Sequence, residues 1–123
     1  MAKKEKLREI NLEGTSLIDK ELNIIFNSSS FNEISGFDFI NEEKTNLRDI
    51  VHPEDRDEII SLLHELILKP GNSKTCNFRA VNANGDYIWL KCIYTNRLHE
   101  REIEAIVCNF REITTKKVSE DLL

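Results

Sequence analysis

The spacing of apolar residues along this chain changes period twice, and each change marks an element. Thr15 to Ile18 and Leu22 to Phe26 are short strand-like runs on either side of Asp19-Lys20-Glu21, and they predict a small hairpin. Asn27-Ser28-Ser29-Ser30 then supplies cap residues for a short helix carrying Phe31 and Ile34, which Gly36 stops. Residues 37 to 50 mix Phe37, Phe39, Ile40 and Leu47 with polar residues and predict an irregular segment with a helical turn or two. The clearest helix follows. His52 stands at its N-cap, Pro53 suits its first position, and Glu54 and Asp55 put negative charge beside the free N–H groups of the first turn. Ile59, Ile60, Leu63 and Ile67 form its apolar stripe, and Pro70-Gly71 ends it.

From Lys74 the period drops to two. Strands are predicted over Lys74 to Asn82, Tyr87 to Leu98 and Glu102 to Ile113, joined in meander order. Cys76, Phe78 and Ala80 alternate with polar residues in the first, and Ile88, Leu90, Cys92 and Tyr94 do so in the second. For the two apolar faces to coincide a two-residue loop at Asn84-Gly85 is excluded, and a three-residue loop Ala83-Asn84-Gly85 satisfies the condition, with Gly85 in the left-handed position. That loop pairs Cys76 with Cys92, and a turn centred on Glu100 pairs Cys92 with Cys108. Three thiols then stand in one row on the inner face. Cysteine is a common small buried residue, and neighbours Phe78, Leu90 and Tyr94 lack the positive charge a thiolate needs, so packing is the plain reading. Trp89, Ile93 and Val107 fall on the outward face.

Composition narrows the function. With 123 residues the chain fits one core, and its 22 acidic and 17 basic residues, net charge -5, are interspersed without the basic stripe that nucleic-acid binding requires. No apolar run approaches the roughly 20 residues of a membrane helix, so membrane contact is not expected. The first residues are charged with no apolar stretch behind them, unlike a secretory signal. Three cysteines without a short-spaced pair suit a reducing cytoplasm. No nucleophile, base and oxyanion donor converge, and the chain itself is not expected to be an enzyme.

Three short motifs occur in order: Ile50-Val51-His52-Pro53-Glu54-Asp55-Arg56, Gly85-Asp86-Tyr87-Ile88-Trp89-Leu90 and Arg111-Glu112-Ile113-Thr114. In this order they resemble a PAS domain, the sensory module of histidine kinases and related prokaryotic signalling proteins, over about residues 12 to 114. The resemblance implies an α+β fold, with a five-stranded antiparallel sheet and helices on one face. Residues 1–11 would be an N-terminal arm or short helix, 12–114 the domain, and 115–123 the start of a C-terminal signalling helix, with Val118 and Leu122 spaced i,i+4.

The implied pocket lies between sheet and helices. Its candidate walls are Phe26, Phe31, Ile34, Phe37, Ile40, Leu63, Ile67, Phe78, Leu90, Cys92, Tyr94, Ile106, Cys108 and Phe110, which is equally a description of the core. A small apolar ligand would suit it. Haem is not expected, because the family's ligand position falls near Ile60 and not His64. Flavin is not expected either, because the region before the long helix, Asn41 to Asn46, has no reactive cysteine, and the strand positions that would present amides to the ring, Ala80, Leu90 and Phe110, are apolar. The resemblance further implies signal transmission through Glu112, Ile113 and Thr114 to a C-terminal effector such as a kinase. Glu112 replaces the family's aspartate. It also implies a homodimer using Trp89, Ile93 and Val107, a face that Leu7, Ile10 and Leu12 could cover. A constitutive dimerisation module with no ligand is the alternative.

Overall fold

The computed structural model describes residues 13–28 and 45–114. Strands β1 (Glu13–Ile18) and β2 (Ile24–Asn27) form the first hairpin, and α1 (Leu47–Ile50) and α2 (Pro53–Ile67) follow. The meander β3 (Ser73–Val81), β4 (Tyr87–Arg97) and β5 (Ala105–Glu112) completes one antiparallel sheet in the order β2-β1-β5-β4-β3. The predicted helix with Phe31 and Ile34, and both chain ends, lie outside the described residues.

The first hairpin turns where the polar run requires it. The Asp19 carboxylate accepts from the N–H groups of Glu21 and Asn23, and Leu22 is held at φ 69 with its side chain buried. That left-handed residue delays β2 to Ile24, two residues later than its apolar pattern suggests. Asn46 then caps α1 by accepting from the Arg48 N–H, and its amide donates to the Glu21 carbonyl. Helix α1 is thereby fastened to the hairpin turn.

Helix α2 begins as its sequence dictates, with His52 Nδ1 accepting from the Glu54 N–H at 3.0 Å and Pro53 in the first position. Ile59, Leu63 and Leu66 are buried against the sheet, and His64 is exposed. Its C-terminal end is held by a residue far away in sequence. Asn96 on β4, 1% exposed, donates to the carbonyls of Leu66 at 2.8 Å and Ile67 at 3.2 Å. Those carbonyls belong to the last turn, where helical partners run out.

The β3–β4 hairpin has the predicted register: Cys76 opposes Cys92, and Gly85 takes φ 85. The β4–β5 register differs from the expectation. The Arg97 guanidinium grips the Glu100 carboxylate, whose own backbone carbonyl accepts from the Ile103 and Glu104 N–H groups, and Glu104 turns at φ 49. This loop consumes residues expected in the strand, so β5 starts at Ala105 and not Glu102. Pairing moves by two residues along β5: Cys92 opposes Phe110, and Cys108 opposes Tyr94. A shift of two keeps every side chain on its face but breaks the straight row of thiols.

Candidate functional site

The inner face of the sheet carries two successive rows set by register. One runs Gly14, Phe110, Cys92, Cys76 and the other Ser16, Cys108, Tyr94, Lys74. Over them lies a cavity of about 30 Å³, lined by Ser16, Ile18, Ile24, Leu47, Ile50, Phe78, Leu90, Cys92, Tyr94, Cys108 and Phe110. A water needs roughly 10–15 Å³ on such a measure, so the space has room for about two or three waters. A larger hollow of about 500 Å³ opens on the outer face beside Glu13, Thr15, Lys91, Ile93, Asn109 and Arg111. It is a surface groove with mixed charge. The inner cavity is walled by core side chains and is the candidate site.

Polar chemistry at the cavity is sparse. Ser16 Oγ donates to Asn27 Oδ1 at 2.7 Å. The Tyr94 hydroxyl is buried and makes no hydrogen bond of ordinary geometry. Burial, followed by the neighbouring Cys92, Cys108 and Cys76 thiols, pushes the phenol well above its usual pKa. Burial and the adjacent Cys92 raise Cys108 likewise, and burial pushes Cys76 up to about 12. These thiols stay protonated at neutral pH and are poor nucleophiles and poor metal ligands as they stand. Among the described residues no cluster of His, Cys, Asp or Glu is arranged to hold a metal ion.

Of the predicted wall residues, Phe78, Leu90, Cys92, Tyr94, Cys108 and Phe110 lie on the cavity. Leu63 and Ile106 are fully buried in the core beyond it, and Ile67 packs on that core from its edge. Phe31, Ile34, Phe37 and Ile40 lie outside the described residues. Phe26 is a correction. A bulge between Leu17 and Ile18 lets Phe26 oppose Leu17 on the outward side, where it is 53% exposed. Ser16 was not anticipated, because a serine in a short strand gives no sign of its facing.

At the other end of the sheet, Trp89 holds the exit of β5. Its N–H donates to Thr114 Oγ1 at 2.9 Å, its carbonyl accepts from the Ile113 N–H at 2.9 Å, and Thr114 Oγ1 donates to Glu112 Oε1 at 3.4 Å. On the outward side the Arg79 guanidinium lies 5.4 Å from the Trp89 ring centre. Arg79 also binds Asp55 through Nε at 3.0 Å and through its terminal nitrogen at 2.8 Å, and reaches Glu54 at 3.1 Å. Its N–H donates to Asp55 as well, at 2.8 Å. The first turn of α2 is thus joined through Arg79 to the residue that holds the exit. Sequence reading missed this cluster, although the predicted β3–β4 register already pairs Arg79 with Trp89. Trp89 is partly covered, Val107 is partly buried and Ile93 is 41% exposed.

Residues 24–109 match the family described as PAS fold. The chain belongs to the PAS family. The fold agrees with solved PAS domains despite low identity. A PAS domain from Colwellia psychrerythraea superposes with TM-score 0.72 at 16% identity, covering 93% of this chain and 97% of the other. A sensory box histidine kinase/response regulator from Burkholderia thailandensis gives 0.69 at 18%, covering 98% and 91%. The Drosophila melanogaster Cycle PAS-B domain with bound ethylene glycol gives 0.67 at 15%, covering 80% and 96%. No curated protein matches the chain. No helix among the described residues is long and apolar enough to cross a membrane.

Proposed function

We propose that this PAS domain is the input module of a longer cytoplasmic signalling protein, with a histidine kinase as the preferred effector. Occupancy of the inner cavity by a small ligand biases the exit of β5, and the C-terminal helix passes that bias on. The observation that carries this reading is the double backbone grip of Trp89 on Ile113 and Thr114, since β4 also supplies Cys92 and Tyr94 to the cavity. Strand β4 therefore touches both places that a relay must connect. The histidine kinase likeness and the bound ethylene glycol of Cycle PAS-B support the class of output and the kind of site, each in its own protein.

Thr114→Ala removes the acceptor for the Trp89 N–H, and Thr114→Ser keeps it. In the full-length protein the alanine variant should uncouple output from the domain while the serine variant retains coupling. Equal output from both variants and the natural protein would refute transmission at this point.

A second reading, a constitutive homodimerisation module, is favoured by the outward face. Phe26, Leu17 and Val107 share one row there, and Phe26 and Ile93 are widely exposed. On that reading Trp89→Ala with Ile93→Ala lowers association in sedimentation, and output does not depend on the cavity.

A further inference from the structure

Two cations stand side by side on the outer face of the sheet, and neither is paired. Lys91 on β4 and Arg111 on β5 are directly opposed in the ladder, a placement that sets Cβ atoms roughly 4.5–5.5 Å apart and destabilises a sheet when the charges are alike. Among the described residues neither forms an ion pair or a hydrogen bond. Glu13 opposes Arg111 from β1, also without pairing. All three border the outer hollow of about 500 Å³, and Glu13 is the one carboxylate on its walls. Neutral donors join the cations there. Asn109 Oδ1 accepts from Thr15 Oγ1 at 3.1 Å, which leaves the Asn109 amide nitrogen with both its protons to give. Ser28 Oγ accepts from the Thr15 N–H at 3.0 Å and keeps its own proton. Ile93, 41% exposed, adds an apolar wall.

We propose that this hollow binds a small organic anion, a carboxylate or phosphomonoester on an apolar body, with its oxygens between Lys91 and Arg111 and its body against Ile93. The guanidinium fork holds two oxygens of one headgroup, and the ammonium adds a point charge from the neighbouring strand. An anion placed there offsets the repulsion between the two cations, whereas a neutral molecule of the same shape gains only the contact with Ile93. The volume falls within the range of small-molecule sites and exceeds what a headgroup alone would fill. Glu13 at the rim opposes the bound charge and limits affinity. The site lies on the face of the sheet opposite the inner cavity and does not depend on that cavity being sensory. It adjoins the exit of β5, because Lys91 and Arg111 stand two residues along their strands from Trp89 and Ile113, whose backbones are hydrogen-bonded. An anion that spans the two cations ties β4 to β5 beside that bond.

Benzoate, phenyl phosphate and benzamide test the site in the 123-residue chain, since benzoate and benzamide share a shape and differ in charge. Titration at low ionic strength, followed by amide resonances, should show both anions shifting Lys91, Ile93, Asn109 and Arg111, with benzamide at equal concentration leaving them in place. Lys91→Gln and Arg111→Gln should each weaken both anions by up to about fivefold, the range of an exposed ion pair, and added salt should shrink the difference. Glu13→Gln should strengthen both anions, a gain that damage to the fold does not imitate. Benzamide binding as tightly as benzoate, anion binding unchanged in both cation variants, or shifts confined to Tyr94 and Cys108 on the inner face would each overturn the site. Benzoate should also slow hydrogen exchange of the Ile113 amide, which donates to the Trp89 carbonyl. Unchanged exchange in a chain that binds benzoate at Lys91 and Arg111 overturns the link to the exit and leaves the anion site standing.

Discussion

Replacing Asn96 tests how the long helix is fastened to the sheet. The Asn96 amide donates to two carbonyls at the end of α2, and its Oδ1 accepts from the Leu98 N–H at 3.0 Å. In Asn96→Ala the Leu66 carbonyl keeps the Lys69 N–H at 2.9 Å, but the carbonyl of Ile67 and the N–H of Leu98 lose these partners. Two part-buried groups deprived of a partner, at about 1–3 kcal/mol each and partly repaid by water, give a loss of about 2–4 kcal/mol. For a domain with about 5–15 kcal/mol in total this is large. Urea unfolding reads it as a lower midpoint at constant slope. Asn96→Asp discriminates the cause. It retains the acceptor for Leu98 but turns a carboxylate toward helix carbonyls at the negative end of the α2 dipole. Aspartate should therefore be worse than alanine. If aspartate proves better than alanine, the Leu98 contact dominates and the helix-fastening argument is wrong.

Three further outcomes follow from single contacts. Hydrogen bonds from Arg79, opposed by burial, hold the Asp55 carboxyl below its ordinary value, so its contribution is complete above about pH 4 and is lost as pH falls through the folded value. Asp55→Asn should thus flatten the decline of stability below about pH 4, and an unchanged acid decline in chemical unfolding would refute the assignment. Gly14→Ala would place a Cβ 2.6 Å from Phe110 Cζ and 3.1 Å from Ser28 Oγ, so the buried ring must shift at about 1–3 kcal/mol, seen as a lower unfolding midpoint. Lys69→Ala breaks only the exposed pair with Glu65 at 3.1 Å and should change stability by less than about 0.5 kcal/mol, which makes it the control for these measurements.

The sheet was legible in the sequence wherever alternation and loop chemistry agreed. Gly85 and the apolar faces of β3 and β4 left a single pairing, and His52-Pro53-Glu54-Asp55 marked the helix start. The β4–β5 register was not legible, because Leu98 to Glu104 contains neither Gly nor Pro to locate the turn. Its geometry is set by the Arg97–Glu100 pair and by Glu104 in a left-handed conformation, which no local propensity announces. Alternation cannot detect a two-residue shift, so the predicted faces survived while the predicted thiol row did not. Phe26 failed for a related reason: a bulge reverses facing, and nothing in Leu22 to Phe26 signals one.

These contacts gather on one strand. Trp89 grips the exit, Cys92 and Tyr94 wall the cavity, and Asn96 fastens α2, all from β4. Trp89 faces outward and the other three inward, so they report on both sides of the sheet from a single backbone. Hydrogen bonds to both neighbours prevent β4 from sliding alone without breaking ladder bonds. A small adjustment of its twist costs much less and displaces the ends of the strand relative to each other. On the proposed relay, pressure from a cavity occupant at Tyr94 is felt at Trp89 before it is felt at the far edge, β2, which lies three strands away beyond β5 and β1. Arg79, tied to Asp55 and resting over Trp89, joins the first turn of α2 to that end of the strand.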